Sequence, residues 1–235
     1  RSGKDSLSSR MAKIMKISVV IPVYNFKGAE ALTRRCIESV MRQKYEGEIE
    51  VVVSDNSDGE LKDLALSYGV KYVVNQGMKN MPENTNNAIN NATGDIIKIL
   101  YQDDFLYKKN ALSSIAKAFT PETNWVATGC IHTYDGKNLF NPHEPYYSFT
   151  DNTIGSPSVI AFRRSVTERF DSRFSWILDL DFYRRLLKNY GHPKILKVVC
   201  TVIGLHEQQM THKLTESQKI TELIMLDKKY QYEIK

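Results

Sequence analysis

The chain has 235 residues, 42% hydrophobic and 25% charged, with a formal net charge of +5. That much apolar material can build a real core and argues against intrinsic disorder. The mild positive charge suits an anionic small substrate, while the dense basic runs of a nucleic-acid binder are missing, so no nucleic-acid partner is expected.

Residues 1–13 are polar and Ser-rich and read as a disordered lead-in or a non-native remnant. The first strong element is Ile17 to Val23, a continuous β-branched run of the kind covered on both faces in a parallel sheet. A helix follows, with Leu32, Cys36, Ile37 and Val40 on one face and Arg34, Arg35 and Arg42 turned away from it. A second strand runs from Ile49 to Val53 and ends in the turn-forming stretch Ser54 to Gly59. After a short helix comes a third strand, Val70 to Val74; Pro82 to Ala92 then reads as a helix opened by proline and closed by Thr93-Gly94. Asp95 to Tyr101 is a fourth strand, with Asp103-Asp104 immediately beyond it.

The second half is less regular. It holds a strand from Trp125 to His132, a loop rich in Pro, Tyr and Asn, and a strand from Ser158 to Phe162. A helix over Asp179 to Tyr190, a strand over Ile195 to Ile203 and a polar helix from about Thr215 complete the chain. Strands and helices alternating at this spacing predict an α/β fold with a mostly parallel sheet and right-handed crossovers. No repeat or low-complexity linker interrupts it, which favours one domain over residues 14–212 and a C-terminal helix over 213–235. The expected halves are a nucleotide-binding part, about 14–104, and an acceptor part, about 105–212.

Open α/β sheets bind ligands beyond the carboxyl ends of their strands. Here those ends carry Pro22, Val23, Tyr24 and Asn25, then Asp55, Asn56 and Asp58, then Asp103 and Asp104. Tyr24 can stack on a base, and Asp55 can accept from base or ribose hydrogens. Adjacent carboxylates suit a hard divalent ion that bridges phosphates. Each end alone is an ordinary turn; three on one edge point to a nucleotide site. Neither a GxxxxGK[ST] loop nor a GxGxxG after the first strand is present, so a diphosphate must be neutralised by other means.

The ordered series Ile17 to Asn25, Val53 to Ser57, Asn86 with Ala92 to Asp95, Leu100 to Asp104, Asp179 to Phe182 with Arg185, and His206 to Thr211 resembles family 2 glycosyltransferases of GT-A fold. The resemblance implies that Pro22 and Tyr24 flank the base, that Val23, Asp55, Asn86 and Asp103 also contact the nucleotide, and that Asp104 and His206 ligate Mn²⁺ or Mg²⁺. It further implies a nucleotide-sugar donor (a UDP-sugar favoured, GDP- or dTDP-sugars as alternatives) and a glycan or lipid-linked glycan acceptor. Three positions depart from the family pattern: Tyr101 stands where the acidic motif often begins with Asp, Thr85 where Arg is frequent, and Leu178 where an acid precedes the catalytic Asp.

An inverting transfer needs a carboxylate to take the acceptor's proton. Asp179 shares a helix face with Phe182, Tyr183, Leu186 and Tyr190 and so continues an inward stripe, which makes it the candidate base. Asp181 is rotated away and is expected to be exposed or paired with Arg184 or Arg185. Trp176, and the pair Tyr146-Tyr147, could offer an acceptor platform. The competing readings are a sugar nucleotidyltransferase and a non-catalytic nucleotide- or glycan-binding module. Cys36, Cys130 and Cys200 are odd in number and widely spaced, which fits a reducing, cytoplasmic setting without disulfides or structural zinc. No signal peptide or bilayer-spanning run appears, leaving peripheral contact with a membrane, for which Leu223, Ile224 and Leu226 of the last helix are candidates.

Overall fold

The computed structural model describes residues 14–148 and 151–231. The lead-in expected at 1–13 and the last four residues of the expected C-terminal segment lie outside the described residues. In chain order the elements are β1 (Ile17–Val23), α1 (Ala29–Met41), β2 (Ile49–Asp55), α2 (Lys62–Ser67), β3 (Lys71–Val74), α3 (Met81–Asn90), β4 (Ile96–Ile99) and β5 (Phe105–Leu106). Then follow α4 (Ala111–Lys117), β6 (Trp125–Thr133), β7 (Leu139–His143), a 3₁₀ turn at Pro157–Val159, β8 (Ile160–Arg163), α5 (Leu178–Tyr190), β9 (Lys194–Gly204), α6 (Met210–Lys213) and α7 (Glu216–Tyr230).

One sheet carries both halves, in the order β3-β2-β1-β4-β8-β6-β9-β5, with β7 paired to β6. The expected parallel pairing holds from β3 through β2 and β1 to β4. Beyond that point the sheet is mixed. β8 runs antiparallel to both β4 and β6, β9 is parallel to β6, and β5 is antiparallel to β9. This switch at β4 puts the Asp103-Asp104 turn at a change in strand order, where ligand crevices form.

β1 is buried along its whole length. Its side chains alternate, as the two-residue period of a strand requires. Ile17, Val19, Ile21 and Val23 join Cys36, Ile37 and Val40 of α1 in one core, and Val20 joins residues of α3 and α5 in the other. Each such fully buried Val or Ile contributes roughly 1.5–3 kcal/mol relative to exposure.

Four local expectations change. Arg35 is half-buried rather than turned outward: its Nη2 donates to the Asp103 carbonyl at 2.7 Å and its guanidinium stacks 4.5 Å over the Phe105 ring. Ser158 belongs to the 3₁₀ turn, so the strand there begins at Ile160. The loop after β6 contains a real strand, β7, and the short elements β5, α4 and α6 carry too few residues to announce a period.

The fourth change concerns Asp181, which is fully buried. Arg185 pairs with it at 2.8 Å as expected, but Lys229 and the Tyr230 hydroxyl also donate to it, at 2.6 and 2.9 Å. The reason is α7. This helix packs on the face of α5 that an isolated helix would show to water, burying Leu226 and Tyr230. Leu223 and Ile224 stay about half exposed. Among the described residues no helix is long and apolar enough to cross a membrane. Cys36, Cys130 and Cys200 are buried free thiols.

Candidate active site

A cavity of about 530 Å³ opens beyond the ends of β1, β2 and β4 and reaches the start of α5. The β1 end supplies Pro22, Tyr24 and Phe26. Gln102 holds this segment by both sides of its amide: Oε1 accepts from the Tyr24 N–H at 2.6 Å and Nε2 donates to the Tyr24 carbonyl at 3.1 Å. The rings of Tyr24 and Phe26 lie 4.9 Å apart, and Phe26 stacks on His206 at 5.5 Å, forming a short aromatic rail along the wall. Lys213 places its ammonium 5.6 Å from the Tyr24 ring centre. Asn80, the N-cap of α3, accepts from the Glu83 N–H and lines the cavity beside Asn84.

The acidic pair is split by its surroundings. Asp103 meets His206, with Oδ2 accepting from Nε2 at 3.1 Å, while the Gln209 amide lies 3.4 Å away. Asp104, expected as the direct metal ligand, is only 2% exposed, and its Oδ1 accepts from the Gly204 N–H at 2.9 Å. Burial and the neighbouring Asp103 push the Asp104 carboxyl well above the usual range, against the Gly204 N–H and the buried Lys98. Lys98 in turn is pushed down to about 8 by burial. Gly204 makes the close approach of this turn to β9 feasible, because a Cβ there would collide with the Asp103 carbonyl oxygen.

Asp179 lies in the first turn of α5 and faces the same cavity. Its Oδ1 accepts from the Leu180 N–H at 2.8 Å and its Oδ2 from the Asn152 amide at 2.6 Å. Although part of it stays open to the cavity, the protein packed around it desolvates the carboxyl and pushes its pKa up to about 7. Ile177, the N-cap of α5, contributes no side-chain cap. Glu222 of α7 instead braces the segment that leads into α5, accepting the N–H groups of Ser175, Trp176 and Ile177 at 2.8, 2.9 and 3.1 Å. A carboxylate at a helix N-terminus satisfies orphan donors and complements the helix dipole.

Residues 18–187 match the sequence profile described as Glycosyl transferase family 2. The chain belongs to this family. Among its curated relatives is a GalNAc(5)-diNAcBac-PP-undecaprenol beta-1,3-glucosyltransferase from Campylobacter jejuni, 29% identical over 181 residues, covering 74% of this chain and 53% of that protein. Another is the putative colanic acid biosynthesis glycosyl transferase WcaA of Escherichia coli, 24% identical over 86% of this chain and 76% of that protein. The chain thus spans about half the length of the Campylobacter relative. Among solved structures, S. aureus TarS 1–349 superposes with a TM-score of 0.65 at 18% identity, over 81% of this chain and 60% of that chain. The mannosyltransferase PcManGT from Pyrobaculum calidifontis, solved with GDP-Man and Mn²⁺, gives 0.60 at 17% identity, over 83% and 58%. These likenesses establish the GT-A fold.

Within this family 2 domain, the cavity gathers Pro22, Tyr24, Asp103, Asp104, Trp176, Asp179 and His206. Val23, Asp55 and Asn86 do not line it. The Val23 side chain is in the core. Asp55 is buried behind the wall, with Oδ1 accepting from the Ser57 N–H and hydroxyl at 2.7 Å and Oδ2 from the Tyr72 hydroxyl at 2.8 Å. Asn86 is bonded in both directions to the Phe170 backbone, at 2.8 Å. Tyr146 and Tyr147 also lie off the cavity, which leaves Trp176 as the aromatic residue of that proposed platform at its edge. Sequence reasoning passed over Phe26, Gln102, Asn152, Gln209, Lys213 and Glu222. Phe26 and Gln102 were findable, each being next to a named motif residue; Asn152 and Glu222 carry no local signal.

Proposed function

We propose that this glycosyltransferase domain moves a sugar from a nucleoside-diphosphate sugar to a hydroxyl of a glycan or lipid-linked glycan, with inversion at the anomeric carbon. The observation that carries this reading is one cavity lined both by the Asp103–His206 pair and by Asp179. Asp179 is the general base. It takes the acceptor proton as that oxygen attacks the anomeric carbon and the diphosphate departs. A carboxylate raised to about 7 by burial is better matched to that task near neutrality than an ordinary one.

In this reading Asp103 and His206 would hold a divalent ion, His206 exchanging its bond to Asp103 for the ion, in place of the Asp104–His206 pair that the resemblance implies. Among the described residues no group of three or more His, Cys, Asp or Glu could hold an ion. Two protein ligands completed by phosphate oxygens and water are an ordinary arrangement for Mg²⁺ or Mn²⁺ in a phosphate site. When bound, the ion supplies positive charge to the leaving diphosphate. Lys213 and Lys79 add positive charge at the cavity lining, while Tyr24 and Pro22 flank the base and Asp55 and Asn86 brace the wall from behind.

A UDP-sugar is the favoured donor, since TarS has been solved with UDP and with UDP-GlcNAc; the GDP-Man complex of PcManGT keeps a GDP-sugar as the alternative. Residues 14–104 form the nucleotide-binding part and 105–212 the acceptor part in this reading, in a cytoplasmic setting at or near a membrane face. The test is Asp179→Asn, assayed against a panel of nucleotide sugars with Mn²⁺. Transfer should fall by about 10²–10⁴-fold while nucleoside-diphosphate affinity changes by less than about twofold. Turnover near that of the unmodified chain would overturn the assignment.

A further inference from the structure

The Asp179 carboxylate has a partner from outside the helix on which it sits. Asn152 comes from the loop between β7 and the 3₁₀ turn, 27 residues earlier, and its Nδ2 donates to Asp179 Oδ2 at 2.6 Å. The orientation of this amide is fixed by its own loop. Asn152 Oδ1 accepts from the Gly155 N–H at 3.0 Å, so the other end of the amide must be the NH₂. Nδ2 also approaches the Gly155 carbonyl at 3.2 Å. Gly155 takes φ +109°, a backbone conformation that a side chain would strain, which closes the turn tightly enough for these bonds. The Gly155 carbonyl also accepts from the Tyr183 hydroxyl at 3.0 Å, tying the loop to α5 one turn beyond Asp179.

We infer that Asn152 is a positioning residue for the base: it holds Asp179 Oδ2 in acceptor form and fixes the direction in which the carboxylate faces the acceptor hydroxyl. This rests on Asp179 being the base. With Asn152 donating to one oxygen and the Leu180 N–H to the other, both oxygens of Asp179 act as acceptors, the state of an ionised carboxylate. Of the other groups that face Asp179, Glu222 works the opposite way. Tyr101, at the end of β4, and Tyr183, on α5, are buried phenols without charge, and Glu222 of α7 is a like charge that raises the Asp179 pKa, as does burial. Asn152 is therefore the side-chain donor that opposes them, beside the backbone N–H of α5. Removing it shifts the carboxyl further toward the protonated form, the wrong state for a base.

Asn152→Asp separates this role from a merely structural one. A carboxylate at 152 can still accept from the Gly155 N–H and keep the turn, but it presents no donor to Asp179 and adds a like charge. The direct readout is the pH titration of the Asp179 side-chain carbonyl ¹³C signal, identified by its loss in Asp179→Asn, alongside the pH profile of kcat/KM. We expect Asn152→Asp to move the Asp179 midpoint and the acidic limb upward by about one pH unit or more, with donor KM unchanged. Asn152→Ser, which keeps a turn acceptor without adding charge, should move both in the same direction by less. An unmoved ¹³C midpoint in both variants overturns the role of Asn152. If instead Asp179→Asn turns over normally, the base assignment itself falls; a silent Asp179→Asn with an unmoved midpoint removes Asn152 alone.

Discussion

The two halves of the domain build their parts of the cavity by different means. In the proposed nucleotide half, β1, β2 and β4 pair in parallel and end on a common edge, so side chains that follow a strand in sequence meet across the sheet. Tyr24 and Asp103 arrive there by strand length alone, and Gln102 joins the two ends. In the proposed acceptor half the sheet is mixed, and the catalytic candidate stands at the start of a helix held by polar bonds from distant segments. Glu222 braces the segment entering α5 from 45–47 residues away, Lys229 pairs with Asp181 while Tyr230 donates to it, and Asn152 meets Asp179 from a loop. A parallel sheet edge is a rigid platform for binding; the acceptor half depends on α7 and a loop for its geometry. Changes in the first half should therefore appear in donor affinity, and changes in the second in turnover.

The comparison can be broken most directly at Asp104, which belongs to the nucleotide half by position but to the core by contacts. Asp104→Ala leaves the buried Gly204 N–H without its acceptor, and should lower unfolding stability by about 1–3 kcal/mol in denaturant titrations. A stable variant that has lost only Mn²⁺-dependent binding would instead return the ligand role to Asp104. Asp103→Asn should act the other way round. We expect a 10–100-fold (order-of-magnitude) loss of metal-dependent nucleotide affinity by calorimetry, with stability little changed.

Glu222→Gln sharpens the contrast from the acceptor side. It replaces a charged acceptor of three backbone N–H groups with a neutral one, and should cost about 1–2 kcal/mol of stability. Turnover should fall with donor affinity intact; a fall in donor affinity alone would argue that α7 serves the first half. The smallest effect concerns Asp179 itself. Its folded pKa is raised to about 7, so the fold penalises its charge; the penalty is present above that pH and vanishes as pH drops below the ordinary carboxylate range. Asp179→Asn should thus raise stability at pH 8 by about 1 kcal/mol or more, and not at pH 4, in paired thermal or denaturant melts.

Much of the first half was legible. The continuous apolar run Ile17 to Val23 is β1 to the residue, and the 3.6-residue stripe of Cys36, Ile37 and Val40 is the buried face of α1. Asp179 was legible too, because its position on the stripe with Phe182, Tyr183 and Leu186 pointed inward. The same reasoning misplaced Asp181, since periodicity describes one helix against one neighbour and α5 has two. Arg35 failed for the same reason: its outward position on α1 brings the long side chain over Phe105 and onto the Asp103 carbonyl.

By itself, then, the chain's sequence determined the alternation of strands and helices, the strand ends that meet at one edge, and the acid that heads α5. These are properties of local period and strand length, which each segment carries within itself. The tertiary structure alone decided how Asp103 and Asp104 divide, the first meeting His206 and the second the Gly204 N–H, because that depends on β9 passing close enough for Gly204 to reach Asp104. It also decided that Asn152 donates to Asp179 and that the segment entering α5 is braced by Glu222. Such bonds join residues far apart in the chain, and their directions are set only once the sheet, α5 and α7 have packed together.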